Sequence, residues 1–510
     1  MRLFTLALLA GLAGTAGANG RAPGTSTINF RKGMESQIAA GMTFGVVHSA
    51  DGGSTWSWAC EDAVGYGGMY DPDYAFTSTG ALFATTFDGL KVNRDGCKYD
   101  RTTLIPTDGP CVDNDDPDTE PNNCLTPGFT CSGGGLGAGS GLGDGMCEKI
   151  KFISATTVGL TGIVYAAAAD PADGKIYKSL DDGATFPDGP QPGQLGDWWQ
   201  SIEVAPSDED VVYLFGYRFM NNTKSFLLFK STNRGDTYTA LPGNGTLGNV
   251  NGIATMPNSV IEVAGVSKTN PNIVYARVTL ADNSISDALY RSIDGGQSWS
   301  KLIEPAGSLS FVARQNGQLV VGTQALGIFT ATETGTSTVP TFTQLTPAVA
   351  CQESAGTFVC PSGQACTEDT HLCELPHVGC LSENAAGEVW ACTQNYGSAT
   401  VPKDSFGIMK STDLVSWTGV LQFQDLVEPR SCPTGTVQKD RCDAELWCGL
   451  CAQIGCEANR NCLVADAGTP DGLIVNPPKK TCCQSGSDDI PGLLIICIAV
   501  SLVVLRRKRV

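Results

Sequence analysis

The sequence predicts an all-β fold of seven repeated four-stranded units, closed into a propeller. Three observations carry that prediction. A turn of the form Ser-x-Asp-x-Gly-x-Thr/Ser-aromatic occurs four times in clear copies. Counting weaker copies, seven such markers fall mostly about 40–60 residues apart, the length of four short strands with their connections. With 61 glycines and only 17% charged residues in 510, the composition suits a turn-rich β protein better than a helical one.

The clear copies are SADGGSTW (Ser49, Asp51, Gly53, Trp56), SLDDGATF (Ser179, Asp181, Gly183, Phe186), STNRGDTY (Ser231, Asn233, Gly235, Tyr238) and SIDGGQSW (Ser292, Asp294, Gly296, Trp299). Each follows an alternating apolar run (TFGVVHS, GKIYKS, FLLFKS, ALYRS) and precedes more strand-like sequence, so each reads as a hairpin loop. A carboxylate or amide at the third position can accept hydrogen bonds from the N–H groups of its own turn. Glycine two residues later permits positive φ, and the final aromatic ring can bury itself between sheets. All four positions therefore have structural roles. These segments are identified as Asp-boxes, or BNR repeats, and the chain resembles the Asp-box propellers of the sialidase and sortilin-like superfamily. Weaker copies centre on Asp95, Glu333 and Asp413.

The chain divides in order. Residues 1–18, a cation at Arg2, an apolar run and Ala16-Gly17-Ala18, read as a signal peptide. Residues 19–430 hold the propeller, with Cys-bearing insertions at about 103–148 and 351–380 stretching two marker intervals. The short stretch 26–47 before the first turn suggests that N- and C-terminal strands share one blade to close the ring. Residues 431–463 form a Cys-rich module and 464–489 a linker with a Cys pair. Residues 490–510 form a transmembrane or sorting tail, an apolar run ending in Arg506-Arg507-Lys508-Arg509 that should remain cytoplasmic. Cys482-Cys483, a short apolar helix and a basic end together resemble a myxobacterial-type C-terminal surface-sorting signal. That resemblance implies processing near Cys482 or Cys483 and an exported chain held at the outer surface or cell envelope, membrane-anchored at its C-terminus.

The 21 cysteines fall in sets of six at 60–147, 351–392 and 432–462, with three more at 482, 483 and 497. Three even sets in an exported chain suggest three separate disulfide frameworks. Zinc is the rival at Cys448-x-x-Cys451, but no second CxxC follows at a matching distance. A net charge of −19 with no offsetting basic patch argues against a nucleic-acid partner. Only His48, His371 and His377 are present, which disfavours a His-based metal site or triad.

Chemistry is harder to find. Sialidase-type propellers, by resemblance, require three carboxylate-clamping arginines; Phe30-Arg31-Lys32-Gly33 lacks the family's Ile and Pro, and Arg218, Arg277 and Arg314 stand in no matching context. A xyloglucanase-like hydrolase would use paired carboxylates. Asp71, Asp73 and above all Asp197 are candidates, the last because Trp198 and Trp199 follow it and could stack on a sugar. Asp113, Asp115, Asp116 and Asp118, with Glu120, could offer oxygen ligands to Ca²⁺, although no EF-hand register is present; no other cofactor is expected. The reading that needs least is a surface-anchored propeller that recognises a glycan or protein ligand without catalysis. A glycoside hydrolase acting on extracellular polysaccharide is the alternative.

Overall fold

The computed structural model describes residues 22–102 and 153–456, apart from 68–69, 88, 170–173, 187–190, 195, 221–222, 246–248, 257, 282–284, 326, 355–356, 361–363, 368, 397–403 and 427. Seven sheets succeed one another along the chain, at 25–59, 74–101, 153–179, 197–240, 260–303, 309–344 and 380–421. Six have four described strands and the third has three, always in sequence order and antiparallel. The first strand of each sheet packs against the first strands on both sides, and the seventh returns to the first. This is a closed seven-bladed β-propeller with the first strands around the axis.

Alternation along the strands builds the layers between blades. Between the fourth and fifth blades, for example, Phe215, Leu228, Val274, Tyr290 and Trp299 form one buried cluster. Each large side chain removed from water there contributes roughly 1.5–3 kcal/mol. Two second strands open with a Val-Tyr pair, Val164-Tyr165 and Val212-Tyr213. The hydroxyls of Tyr165 and Tyr213 donate to Arg234 O and Pro271 O, both at 2.8 Å, and so tie each blade to the next one's turn region.

The repeated turns work through local hydrogen bonds. Asp51 Oδ1 accepts from the N–H groups of Ser54 and Thr55 at 3.0 and 2.9 Å, and Ser49 Oγ accepts from Gly53 N at 2.8 Å. Thr55, whose hydroxyl and N–H both donate to it, leads the groups that hold the Asp51 carboxyl down at about 2. Ser179, Ser231 and Ser292 repeat the contact to the glycine N–H. The glycine also faces the preceding blade: at Gly183, with φ of 75°, a Cβ would lie 2.1 Å from Phe83 Cζ. At Gly53 the facing side chains are Val420 and Trp390 of the seventh blade. The weaker copies differ. Asp95 and Asp413 still accept turn N–H groups, and Glu333 accepts from Gly335 N at 2.7 Å while also bonding Tyr275 and Arg291.

Two expectations are corrected here. The chain ends share no blade, because 25–59 alone supplies the first and 380–421 the seventh. The ring is instead strapped from outside. Residues 429–430 run beside the outer strand of the first blade, with Arg430 N donating to Trp58 O at 2.8 Å. Trp447, on the helix Trp447–Ile454, then packs against Trp58 in the same core. The cysteine sets are likewise not three separate frameworks. Cys60 pairs with Cys442 and Cys97 with Cys432, joining the first set to the third. Cys351–Cys366 and Cys360–Cys373 lie within one insertion, while Cys380–Cys392 bridges partner residues in the seventh blade. Cys451 bonds Cys456 and Cys448 is also in a disulfide, so that CxxC does not form a zinc pair.

The strand order gives the disc two unlike faces. One carries the Ser-x-Asp turns and the connections between first and second strands. The other, the entry face, carries the second-to-third-strand connections and the links between blades, including 345–379. Among the described residues, no helix is long and apolar enough to cross a membrane. The signal-peptide, sorting-tail and 103–148 expectations lie outside the described residues.

Candidate functional site

Asp197 opens the axial strand Asp197–Val204 of the fourth blade at the entry face, and its side chain is completely buried. Its strand partner is Arg218. The guanidinium grips both carboxylate oxygens, with Nη2 at 2.7 Å from Oδ2 and Nε on Oδ1. The Gln194 N–H adds a third bond at 2.7 Å. Such a carboxylate is bonded on both oxygens and, fully buried, presents no surface to a substrate.

The tryptophans are equally committed. Trp199 has no exposure, donates to Gly174 O at 2.7 Å and lies in the layer between the third and fourth blades. Trp198 is buried against Tyr217, with centroids 6.1 Å apart and planes within 6°. Lys224 caps the other partner of that stack, 4.0 Å from the Tyr217 centroid. As folded, neither indole offers a face to a sugar.

The arginines do not converge. Arg218 serves Asp197, Arg277 serves Glu262 on its neighbouring strand, and Arg314 serves Glu383 at 3.0 Å. They belong to the fourth, fifth and sixth blades, each beside its own acid, so a three-arginine clamp is absent from this set. Asp71 is buried.

What the sequence did not single out is Glu203. It stands partly buried on the axial strand of the fourth blade, where the alternation IEVAP places an acid toward the axis. Neighbouring residues of the third blade's axial strand hold it and Asp73: the Thr157 side chain bonds Glu203, and Thr156 N donates to Asp73 Oδ2 at 3.1 Å. Burial first, then the Asp73 charge, raises the Glu203 carboxyl to about 7, against the opposing pull of Lys32 and Thr157. The only sequence signal was an acid at an inward strand position. Two carboxylates of this kind, one held protonated near neutrality, can in principle give and take a proton.

The histidines divide by environment. His48 lies against the Tyr99 hydroxyl at 3.0 Å, and burial, followed by Arg430, lowers its imidazole to about 3. His377 is a clasp. Asp404, in the second-to-third-strand connection of the seventh blade, accepts from His377 Nδ1 at 3.1 Å, Gln364 Nε2 at 3.0 Å and Gln394 N at 2.9 Å. One carboxylate thus ties the Cys-rich insertion to the blade. The hydrogen bond to Asp404 leads the causes that raise the His377 pKa. A raised value gives stability that is full below the ordinary histidine pKa of about 6.5 and is lost as pH climbs through the folded value. Limited proteolysis of the 351–379 segment is therefore expected to be slower at pH 5.5 than at pH 8. In His377→Asn that difference should vanish; an equal pH difference in the variant rules the clasp out.

A cavity of about 240 Å³ opens between the fifth and sixth blades on the turn face, lined by Ser267, Asn270, Tyr275, Arg314 and Glu333 among others. Arg314 is paired with Glu383 and Glu333 with Arg291, so both charged lining residues are committed to partners outside the lining. Asp113, Asp115, Asp116, Asp118, Cys482 and Cys483 lie outside the described residues.

No family model matches the chain, and no curated protein does. Among solved structures it is similar to the GH74 enzyme of Niastella koreensis, at 15% identity over 78% of this chain, with a TM-score of 0.37. It is also similar to an ancestral GH74 enzyme, at 14% identity over 80%, TM-score 0.33. A Hadza microbial sialidase shows 11% identity over 78% of this chain and 65% of its own, TM-score 0.31. The chain spans only 58% and 55% of the length of the two GH74 enzymes.

Proposed function

We propose that this chain is an exported, surface-anchored Asp-box propeller that recognises an extracellular glycan or protein ligand through its entry face and does not turn it over. The observation that carries this reading is the engagement of Asp197. The carboxylate best placed by sequence for catalysis is fully buried in a two-point pair with Arg218. Glu262 is paired with Arg277, and Glu383 with Arg314 at 3.0 Å. Meanwhile the link between the sixth and seventh blades is elaborated by a hairpin at 352–359 and two disulfides. Rigid strands carrying varied loops are a recurrent way to build recognition. Export rests on residues 1–18, and retention at the envelope on Cys482, Cys483 and the apolar, basic-ended tail.

A panel of chromogenic glycosides together with a glycan array tests the proposal. Saturable binding without turnover is the expected result. Turnover of any glycoside would overturn it, and turnover that disappears in a folded Asp197→Ala variant would assign the chemistry to that carboxylate.

One observation favours a second reading, a glycoside hydrolase acting on extracellular polysaccharide. Glu203, raised to about 7 beside Asp73, has the protonation behaviour of a general acid with a carboxylate partner. On that reading, turnover would be lost by at least about a hundredfold in Glu203→Gln, while Asp197→Ala would act only through stability.

A further inference from the structure

The exposed aromatic rings all fall on one face, where the aliphatic Met256 and Val359 are exposed with them. Four large aromatic rings are exposed among the described residues: Phe87 at 38%, Phe219 at 41%, Phe358 at 44% and Tyr396 at 41%. All four are on the entry face. Phe87 follows the second strand of the second blade, Leu82–Thr86, and Phe219 lies near the end of the second strand of the fourth, Val212–Met220. Phe358 is in the hairpin of the insertion, and Tyr396 follows the second strand of the seventh blade, Val389–Cys392. On the turn face the exposed large side chains are aliphatic: Met34, Leu160, Leu180 and Val339.

Three of these rings are held in place by a second ring. Phe87 lies 4.7 Å from Tyr70, Phe219 5.4 Å edge-on to Tyr217, and Phe358 stacked 4.0 Å from His371. A ring pinned this way loses little further freedom when a ligand lies on it, so binding costs less ordering entropy. The rings do not merge into one patch, because they stand on separate blades and loops. A protein partner's apolar core or a membrane surface would call for a contiguous patch. Separate flat platforms instead suit a ligand that presents a flat apolar face at intervals along a polymer. The pyranose rings of a polysaccharide do this through their C–H faces. A net charge of −19 repels a polyanion, which favours an uncharged chain over an acidic one.

We infer that the entry face binds an extended neutral polysaccharide by stacking its sugar rings on Phe87, Phe219, Phe358 and Tyr396, an inference that rests on the recognition reading above. The test is affinity electrophoresis of the full-length protein in native gels cast with glucomannan, mixed-linkage β-glucan or polygalacturonate. Retardation on at least one neutral polymer and none on the polyanion is expected. Phe219→Ala and Phe358→Ala should each weaken it roughly three- to tenfold, as loss of one stacked pair implies, and their combination should abolish the shift. Leu160→Ser with Leu180→Ser, on the turn face, should leave it unchanged. Thermal melts coincident with wild type show that the surface variants are folded. Undiminished retardation in the double phenylalanine variant overturns the inference, as does binding only to the polyanion or to no polymer. The recognition reading itself fails separately, on glycoside turnover.

Discussion

Replacing Cys60 and Cys97 with alanine is expected to remove most of the stability of the ring. The two bridges join positions 382 and 335 residues apart in sequence, and each ties an early blade to the segment that leaves the seventh. In the chain-entropy account, the first of them restricts an unfolded loop of several hundred residues, worth about 5–6 kcal/mol. Once it is closed, the second closes a loop of only about 47 residues, still worth about 4 kcal/mol. Measured losses run lower, about 2–5 kcal/mol per native bridge. Even so, the pair approaches the whole of a typical folding free energy of about 5–15 kcal/mol. The contrast is Cys380–Cys392, which spans 12 residues across adjacent strands already paired in register. Its removal should cost about 3 kcal/mol at most. Denaturant midpoints under non-reducing conditions decide the matter. Equal losses for the Cys60/Cys97 and Cys380/Cys392 variants would mean that the ring is closed by blade packing alone. The apolar seam offers a reason to expect some residual closure, since Gly53 faces Val420 and Trp390 and Phe30 packs edge-on against Trp390 at 5.3 Å.

What the sequence revealed follows the range of each interaction. A Ser-x-Asp turn is complete within seven residues: Ser292 meets Gly296 and Asp294 meets Ser298, all from local chemistry. Residue types at fixed spacing therefore announced the turns, and the turns announced the blades. Glu333 shows the limit of such pattern reading, because a marker that still accepts its own turn's Gly335 N–H also bonds Tyr275 and Arg291 from the strands of another blade. The strap and the site depend on distant partners. Asp197 needs Arg218, 21 residues on, and Glu383 collects Arg314 from 69 residues away and Lys268 from 115. No local pattern distinguishes a carboxylate that will be paired from one that will face a substrate. Adjacent tryptophans misled for a related reason. They suggested sugar stacking, but Trp199 fills the interblade layer and Trp198 closes the stack with Tyr217. The exposed rings are a phenylalanine at a strand's end, Phe219, and three aromatics in connections or the insertion, where composition carries no periodic signal.

Arg218→Met is the second large effect, and it separates a structural role for Asp197 from a chemical one. Removing the guanidinium leaves a completely buried carboxylate with only the Gln194 N–H as a charge-stabilising donor. Breaking a buried pair from one side typically costs about 3–5 kcal/mol. Asp197→Leu alone should cost a similar amount, because Arg218, only 20% exposed, would then lack its counter-charge. Joined in one chain, the two apolar replacements remove both charges, and much of the loss should return. The exposed Lys301–Glu304 pair, with side chains 52% and 36% accessible, sets the scale for an unimportant bridge at about 0–1 kcal/mol. Unfolding free energies for the two singles and the double complete the cycle. A coupling energy below about 1 kcal/mol would mean that the pair is held by its surroundings rather than holding them. Asp197 would then be free for another task, and loss of turnover in a fully stable Asp197→Ala variant would name that task as catalysis. A large coupling energy leaves the opposite conclusion: this carboxylate belongs to the frame of the fourth blade, and the search for ligand contacts moves outward to the rings of the entry face.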